Sequence, residues 1–325
     1  MLTTYIYSGA SQGVRDAFMS QVHKKFKVVD RGLLSNIVKI GVDQSVPGVA
    51  RIFQRQYIEA LLRHYNLLDE KSKQTPMVEK YALLIRTLTA EEIEQMVPFD
   101  YLRLLGELLW VSRCTRFDIA YAVSLLARAN RAPTRKHYYD LIRVLLYLKG
   151  TIDKDIVYRR IPIEDPRCNR VTVYADADFA RHGGDLSSGR KSISGILVMF
   201  NGQLVDWVSK TQATVALNTC EAEYTALSRG CSESIFFRTI LKDFGLLSED
   251  PTVIYGDNTA SLAIANNDMI HTRVKHLDVK LHFIRERINS REVVVTHIST
   301  KNQLADIMTK PLAFRQFESL RDLIL

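Results

Sequence analysis

The chain has 325 residues, of which 46% are hydrophobic and 25% charged, with 15 Gly and 8 Pro. Those values exclude wholesale disorder, collagen-like repeats and low complexity, and the length predicts about two domains. The net charge is +8, and all of the excess lies in residues 1–169, which hold 26 basic and 18 acidic side chains against 18 and 18 in residues 170–325. A basic half beside a carboxylate-rich half fits an enzyme that handles a polyanion.

The first segment mixes strand and helix signals. Tyr5 to Tyr7 reads as a short strand, and Gly13 to Phe26 as a helix with Val14, Phe18, Val22 and Phe26 on one face. Ile37 to Val42 and Val49 to Gln54 are strands joined by a turn at Ser45-Val-Pro-Gly. Gln56 to Tyr65 is helical, and Asp69 to Pro76 is a polar linker. Asp100 to Arg131 carries the clearest helical pattern, with Leu102, Leu105, Leu109, Ile119, Val123 and Leu126 as core candidates. A helix from Thr134 to Lys149 follows, with Gly150 as its C-cap. This block is basic through Arg113, Arg116, Arg128, Arg131, Arg135, Lys136, Arg143 and Lys149, which form either a solvated helix surface or a nucleic-acid-facing one.

From Val171 the character changes. Val171 to Asp176 is a strand ending in acid, and two more strands, Ser194 to Phe200 and Gln203 to Val208, flank an Asn201-Gly202 hairpin turn. A helix from Cys220 to Phe244, a strand from Val253 to Asp257, a short helix through Ala265 and a helix from Val274 to Ile288 come next. A strand from Glu292 to Ile298 precedes a last helix opening at Gln303. The order β-β-β-α-β-α-α-β-α predicts a mixed sheet under helices, an α/β (α+β) class.

Four acids stand at strand ends or helix starts: Asp176, Glu223, Asp257 and Asp306. Gathered at one rim they would repel unless hard cations such as Mg²⁺ neutralise them. Two such ions are an apparatus for phosphodiester cleavage. The bland alternative is that the acids at helix starts only complement the helix dipole. No nucleophile elbow, Walker loop or dinucleotide fingerprint competes with the acids.

Several runs, in order, carry a resemblance: VYADADFA at 173–180, GRKSISG at 189–195, VDWVSKTQ at 205–212, TCEAEYTAL at 219–227, IYGDN at 254–258, HTRVKHLD at 271–278 and QLADIMTKPL at 303–312. They resemble the ribonuclease H domain of copia-type retrotransposon polyproteins. Upstream, YLRLLGELLW at 101–110, TRFDIAYAV at 115–123 and LYLKGT at 146–151 resemble the helical region joining polymerase to nuclease. Residues 11–77 resemble the rear of a reverse transcriptase palm and the start of its thumb. The resemblance implies a truncated palm/thumb remnant over 1–98, a helical connection over 99–160, and a ribonuclease H-like five-stranded mixed sheet over 168–325.

The resemblance further implies that Asp176, Glu223, Asp257 and Asp306 hold two Mg²⁺ ions, with Mn²⁺ as a substitute, and that the substrate is the RNA strand of an RNA–DNA hybrid. Asp178 and Glu221, two residues from implied ligands, are the weaker choices. Where the polymerase carboxylates should fall stand Thr3 and Thr4, and nothing upstream of them is present, so no DNA synthesis is expected. Lys39 replaces a glycine usual in the family. The nuclease half is expected to fold alone, and the palm remnant to be poorly ordered. A catalytically silent relic, or a domesticated nucleic-acid-binding module, is the alternative reading.

Other residues have bland readings. His271, His276 and His282 have spacings unsuited to one helix face, and His297 falls on a strand surface. Trp110 and Trp207 are core candidates; Arg190, Lys191 and Lys210 are either phosphate contacts or solvated charge. The four cysteines have no zinc-ribbon spacing and are expected to be reduced. With no apolar run of about 18 residues and no leader, the chain is expected to lie in the cytoplasm, within a virus-like particle, or in the nucleus. Partners would be other parts of the retroelement polyprotein, and no membrane.

Overall fold

The computed structural model describes residues 11–30, 32–179, 190–266 and 278–325. The expected strand at Tyr5 to Tyr7, Thr3, Thr4, His271, His276 and the start of the helix expected at Val274 lie outside them.

Helix α1 (Gln12–His23) starts where the Ser11 side chain accepts the Val14 amide. Its apolar stripe exists but is not core: Val14, Phe18 and Phe26 are all more than half exposed. Strands β1 (Asn36–Ile37) and β2 (Ile40–Asp43) replace the single strand expected at 37–42. The break is a tight turn in which Val38 and Lys39 take positive φ, 47° and 65°. At Lys39 that left-handed conformation is the one glycine adopts at no steric cost, a physical reason for the family's glycine. Strand β3 (Val49–Phe53) pairs antiparallel with β2, with Val42 opposite Ile52.

Helix α2 (Arg55–His64) buries Ile58, Leu61 and Leu62. The short α3 (Ala90–Glu94) carries a Thr89/Glu92 capping box, and α4 (Tyr101–Cys114) is capped by Asp100. The α4 phase differs from expectation: Leu104, Leu105 and Leu108 are buried, whereas Leu102 is exposed. A 3₁₀ turn (Phe117–Ile119) leads into α5 (Ala120–Leu126), so the long helical stretch is broken after Cys114. Helix α6 (Arg135–Gly150) begins at Thr134 as expected but contains Gly150, and Thr151 is its cap. Gly150 is needed for close approach, because a Cβ there would lie 2.9 Å from Ser72 Cβ. Strand β4 (Ile156–Arg159), not foreseen, completes the first sheet beside β3.

The second sheet runs in the order β7-β6-β5-β8-β9. Strand β5 (Val171–Asp178) is antiparallel to β6 (Ile193–Phe200), which is antiparallel to β7 (Gln203–Thr211). The β6–β7 hairpin turns on Asn201 and Gly202, with φ of 56° and 72°, as a two-residue primed turn requires. Helix α7 (Thr219–Asp243) follows, then β8 (Thr252–Gly256) parallel to β5, and α8 (Thr259–Asn266). Helix α9 (Asp278–Asn289) leads to β9 (Val293–His297), parallel to β8. The last expected helix is two pieces: a 3₁₀ turn (Leu304–Met308) holding Asp306, and α10 (Phe314–Ile324). Among the described residues this is a ribonuclease H-like topology.

The sheet's two faces belong to different cores. Val173, Ala175, Ile196 and Val198 pack under α7 with Ala222, Tyr224 and Leu227. The opposite face, with Ile193, Leu197, Met199 and Trp207, merges into the helical core of α4 to α6. Trp207 is core as expected, and its indole N–H donates to the Ser112 carbonyl at 2.7 Å. Helix α10 joins that second core through Phe317, Leu320 and Ile324. The half expected to fold alone thus has one face of its sheet covered by residues from before 160.

Arg116, expected on a charged helix surface, is instead among the most buried side chains, at 2% exposure. Its guanidinium pairs with Asp118 at 2.7 Å and donates to the Thr151 carbonyl at 2.9 Å. Tyr147 donates its hydroxyl to Asp118, and Arg321 of α10 donates to that same hydroxyl. Burial works against the Asp118 carboxylate, but Arg116, Tyr147 and Arg321 outweigh it and hold its pKa below the usual range. Cys114, Cys168, Cys220 and Cys231 are free. No described helix is long and apolar enough to cross a membrane.

Candidate metal centre

Strand β5 delivers Asp176 opposite Gly195 of β6, on the sheet face away from α7's apolar side. Gly195 leaves room for the 3₁₀ turn: a Cβ there would meet Thr309 Cγ2 at 2.6 Å and Met308 Cβ at 2.7 Å. That turn is fastened by Gln303, fully buried, whose amide donates to the Ala175 carbonyl at 3.0 Å. The Thr309 hydroxyl donates to Asp176 itself.

The first turn of α7 separates its two glutamates. Asn218 caps the helix by accepting the Glu221 amide, and the Glu221 carboxylate accepts the Leu217 amide at 2.7 Å. Glu221 is thus committed to the loop before the helix, and Glu223 turns to Asp176. Asp257 follows β8 and accepts the Thr300 hydroxyl at 2.9 Å.

Three of the four expected acids come together: Asp176, Glu223 and Asp257 each offer an oxygen, and these atoms lie within 4.8 Å of one another. Asp306 is outside that group but near it, bridged to Asp176 by Lys310. The Lys310 ammonium lies 2.7 Å from Asp306 Oδ1 and 3.9 Å from Asp176 Oδ2. Asp178, one of the weaker choices, is only part-buried, opposite Ile193.

Burial of so many like charges raises their proton affinity. Burial first, then Asp176 and Asp257, push Glu223 up to about 9. Burial and Asp176 push Asp306 up to about 7 despite Lys310, and burial also raises Asp176. An all-oxygen donor set that holds its protons this tightly suits a hard divalent cation, which removes both the desolvation and the repulsion.

Lys310 and Thr309 were missed by sequence reasoning. Both lie within the QLADIMTKPL run, and the four-residue spacing from Asp306 to Lys310 is a readable ion-pair signal. Lys210 is exposed on β7 opposite Ser194, one ladder step from Gly195. Arg190 is exposed and Lys191 part-buried at the entry to β6. His297 is exposed beside Gly256, and His282 is exposed on α9.

No protein-family model matches the chain. It is similar to the retrovirus-related Pol polyprotein from transposon TNT 1-94 of Nicotiana tabacum, 32% identical over 97% of this chain and 23% of that protein. It is similar also to the Pol polyprotein from transposon RE1 of Arabidopsis thaliana, 32% identical over 93% of this chain and 20% of that protein. The chain therefore spans about a fifth of the length of these relatives. Among solved structures, LC11-RNase H1 from a compost metagenome gives a TM-score of 0.33 at 19% identity, covering 43% of this chain and 93% of that one.

Proposed function

This chain belongs to the copia-type retrovirus-related Pol polyproteins of transposons, and from that premise we propose that it cleaves the RNA strand of RNA–DNA hybrids with Mg²⁺. The observation that carries the proposal is the convergence of Asp176, Glu223 and Asp257 oxygens within 4.8 Å. These are acids of the motifs on which the resemblance rests, brought from a strand, a helix and a second strand end.

Divalent ions bound there supply the positive charge that activates water and stabilises the leaving oxygen. The chain's own residues do the rest. Asp176 would be shared between the Glu223–Asp257 group and Asp306. Thr309 fixes the Asp176 rotamer, and Thr300 fixes Asp257, each by a hydroxyl donated to the carboxylate. Lys210 and Arg190 stand near the rim as candidate phosphate contacts, which position a polyanion without reading its bases.

On this reading residues 1–98 derive from the palm and thumb, 99–160 from the connection, and 168–325 from the nuclease. Thr3 and Thr4, where the resemblance expects polymerase carboxylates, support the further proposal that this chain does not extend a primer. The same reading puts the protein in the cytoplasm, within a virus-like particle, or in the nucleus.

The test incubates purified protein with end-labelled RNA–DNA hybrid and Mg²⁺ beside an Asp257→Asn variant. Cleavage by the unmutated chain that is lost in the variant is the expected result. No cleavage by the unmutated chain, or equal cleavage by both, refutes the proposal.

A further inference from the structure

A cavity of about 490 Å³ opens between strands β2 and β3, helix α2 and helix α4, and none of the four acids of the metal centre lines it. Its volume is that of a small-molecule site. Part of its wall is aromatic. The Phe53 ring lies against Gly41, where a Cβ would overlap it, and Tyr57 in the first turn of α2 supplies a second ring.

The charges around the cavity are not balanced. Arg55 is committed to Asp155 at 2.6 Å and Arg103 to Glu107 at 3.2 Å. Glu107 also accepts the Tyr65 hydroxyl at 2.7 Å. Lys39 differs: its ammonium lies 4.7 Å from the Tyr57 ring centroid and meets no carboxylate among the described residues. The cavity therefore keeps a spare positive charge and no spare negative one. Gln54 adds a donor. It is 3% exposed, its carboxamide oxygen accepts the Thr115 hydroxyl at 2.8 Å, and its Nε2 has no hydrogen-bond partner among the described residues. A buried donor left unpaired is costly, and an acceptor on a ligand would satisfy it.

We propose that this cavity binds a small planar aromatic anion. The ring packs against Phe53 and Tyr57, the anionic group pairs with Lys39, and an acceptor atom takes the Gln54 Nε2–H. A cationic ligand would find no spare carboxylate, an aliphatic anion would leave the two rings uncovered, and a neutral aromatic would leave Lys39 unpaired. Lys39 holds its place with φ 65°, a conformation costly for a lysine and of the kind found at ligand clamps. This site shares no residue with the carboxylate centre, so the two readings stand or fall separately.

Isothermal titration calorimetry of the full-length chain with naphthoate as the probe tests the proposal. Lys39→Gly and Lys39→Asn remove the ammonium and keep a residue that tolerates the left-handed turn. Lys80→Gly is the control, an exposed lysine with φ 58° that does not line the cavity. Circular dichroism shows which variants fold. The expected result is naphthoate binding that weakens about tenfold or more in the Lys39 variants, through loss of one charge-assisted contact, and is unchanged in Lys80→Gly. Naphthalenemethanol, the same ring without charge, should bind the unmutated chain more weakly than naphthoate and be indifferent to the Lys39 variants. Absence of naphthoate binding to the unmutated chain overturns the proposal. So does equal affinity in the folded Lys39 variants, or an equal loss in Lys80→Gly. Naphthalenemethanol binding as tightly as naphthoate would mean an apolar cleft only and also overturns it. That last comparison needs no variant, so it decides even where a substitution unfolds the chain.

Discussion

Gly195→Ala tests how the fourth carboxylate is held. The added methyl would lie 2.6 Å from Thr309 Cγ2, 2.7 Å from Met308 Cβ and 2.9 Å from the Ala305 carbonyl oxygen, against ordinary contacts beginning near 3.4 Å. Two of those neighbours are fixed to the backbone, so a side-chain rotation cannot relieve the overlap. The turn must withdraw from β6 by about 0.7 Å, the difference between the 2.7 Å to Met308 Cβ and 3.4 Å. Overpacking of this kind costs about 1–3 kcal/mol, or roughly 2–6 °C of melting temperature in a chain this large. The same withdrawal carries Thr309, Asp306 and Lys310 together away from Asp176. Disturbing such supporting contacts weakens ion binding by about tenfold or more. Thermal unfolding without ions and Mn²⁺ titration calorimetry read the two effects. The control is Gly106→Ala on α4, where a Cβ meets nothing within 4 Å and removal of a helical glycine stabilises by about 1 kcal/mol. If Gly195→Ala matches that control in stability and keeps the original Mn²⁺ affinity, the account of how Asp306 is positioned is wrong.

The buried pair at the base of the helical core gives a second prediction. Asp118→Ala strands the Arg116 guanidinium without a counter-charge and costs about 3–5 kcal/mol, whereas Tyr147→Phe removes one hydroxyl contact to that pair and costs about 1–3 kcal/mol. Urea unfolding of the two variants would contradict this if Asp118→Ala proved the milder. A third prediction concerns pH. Glu223 and Asp306 titrate near 9 and near 7 in the folded, ion-free chain, above their ordinary carboxylate values. The folded state then holds protons that the unfolded state has released, so ion-free stability falls as pH rises from about 4 through 9. Mg²⁺ relieves the repulsion, and its stabilising increment should be larger at about pH 8.5 than at about pH 5.5. Equal or inverted increments in thermal scans would exclude this linkage.

Parts of this molecule were legible because the signal was local. Asn201-Gly202 announces its turn, since both positions need a left-handed backbone and they stand between two apolar runs. Asp176, Glu223 and Asp257 were legible through their position at strand ends and a helix start, together with the resemblance. Where sequence reasoning missed, the deciding partner was distant. Arg116 looks like any exposed helix arginine until Tyr147 and Arg321 close over it. Strand β4 has four residues and exists because β3, over a hundred residues earlier, offers it an edge. Helix α4 carries leucines at 102, 104, 105, 108 and 109, so its periodicity does not select one face. Asp306 was expected at a helix start, yet it sits in a 3₁₀ turn fitted against Gly195.

The division of the second sheet between two cores bears on the order in which its carboxylates assemble. The β5–β6–β7 meander is built from neighbours in sequence and can form early, whereas the Thr309 contact to Asp176 spans 133 positions. Closing that loop goes with the docking of α10 on the helical core, so Asp306 is the carboxylate that reaches Asp176 late. A folding intermediate that holds only the meander therefore has Asp176 in its strand without Asp306 beside it.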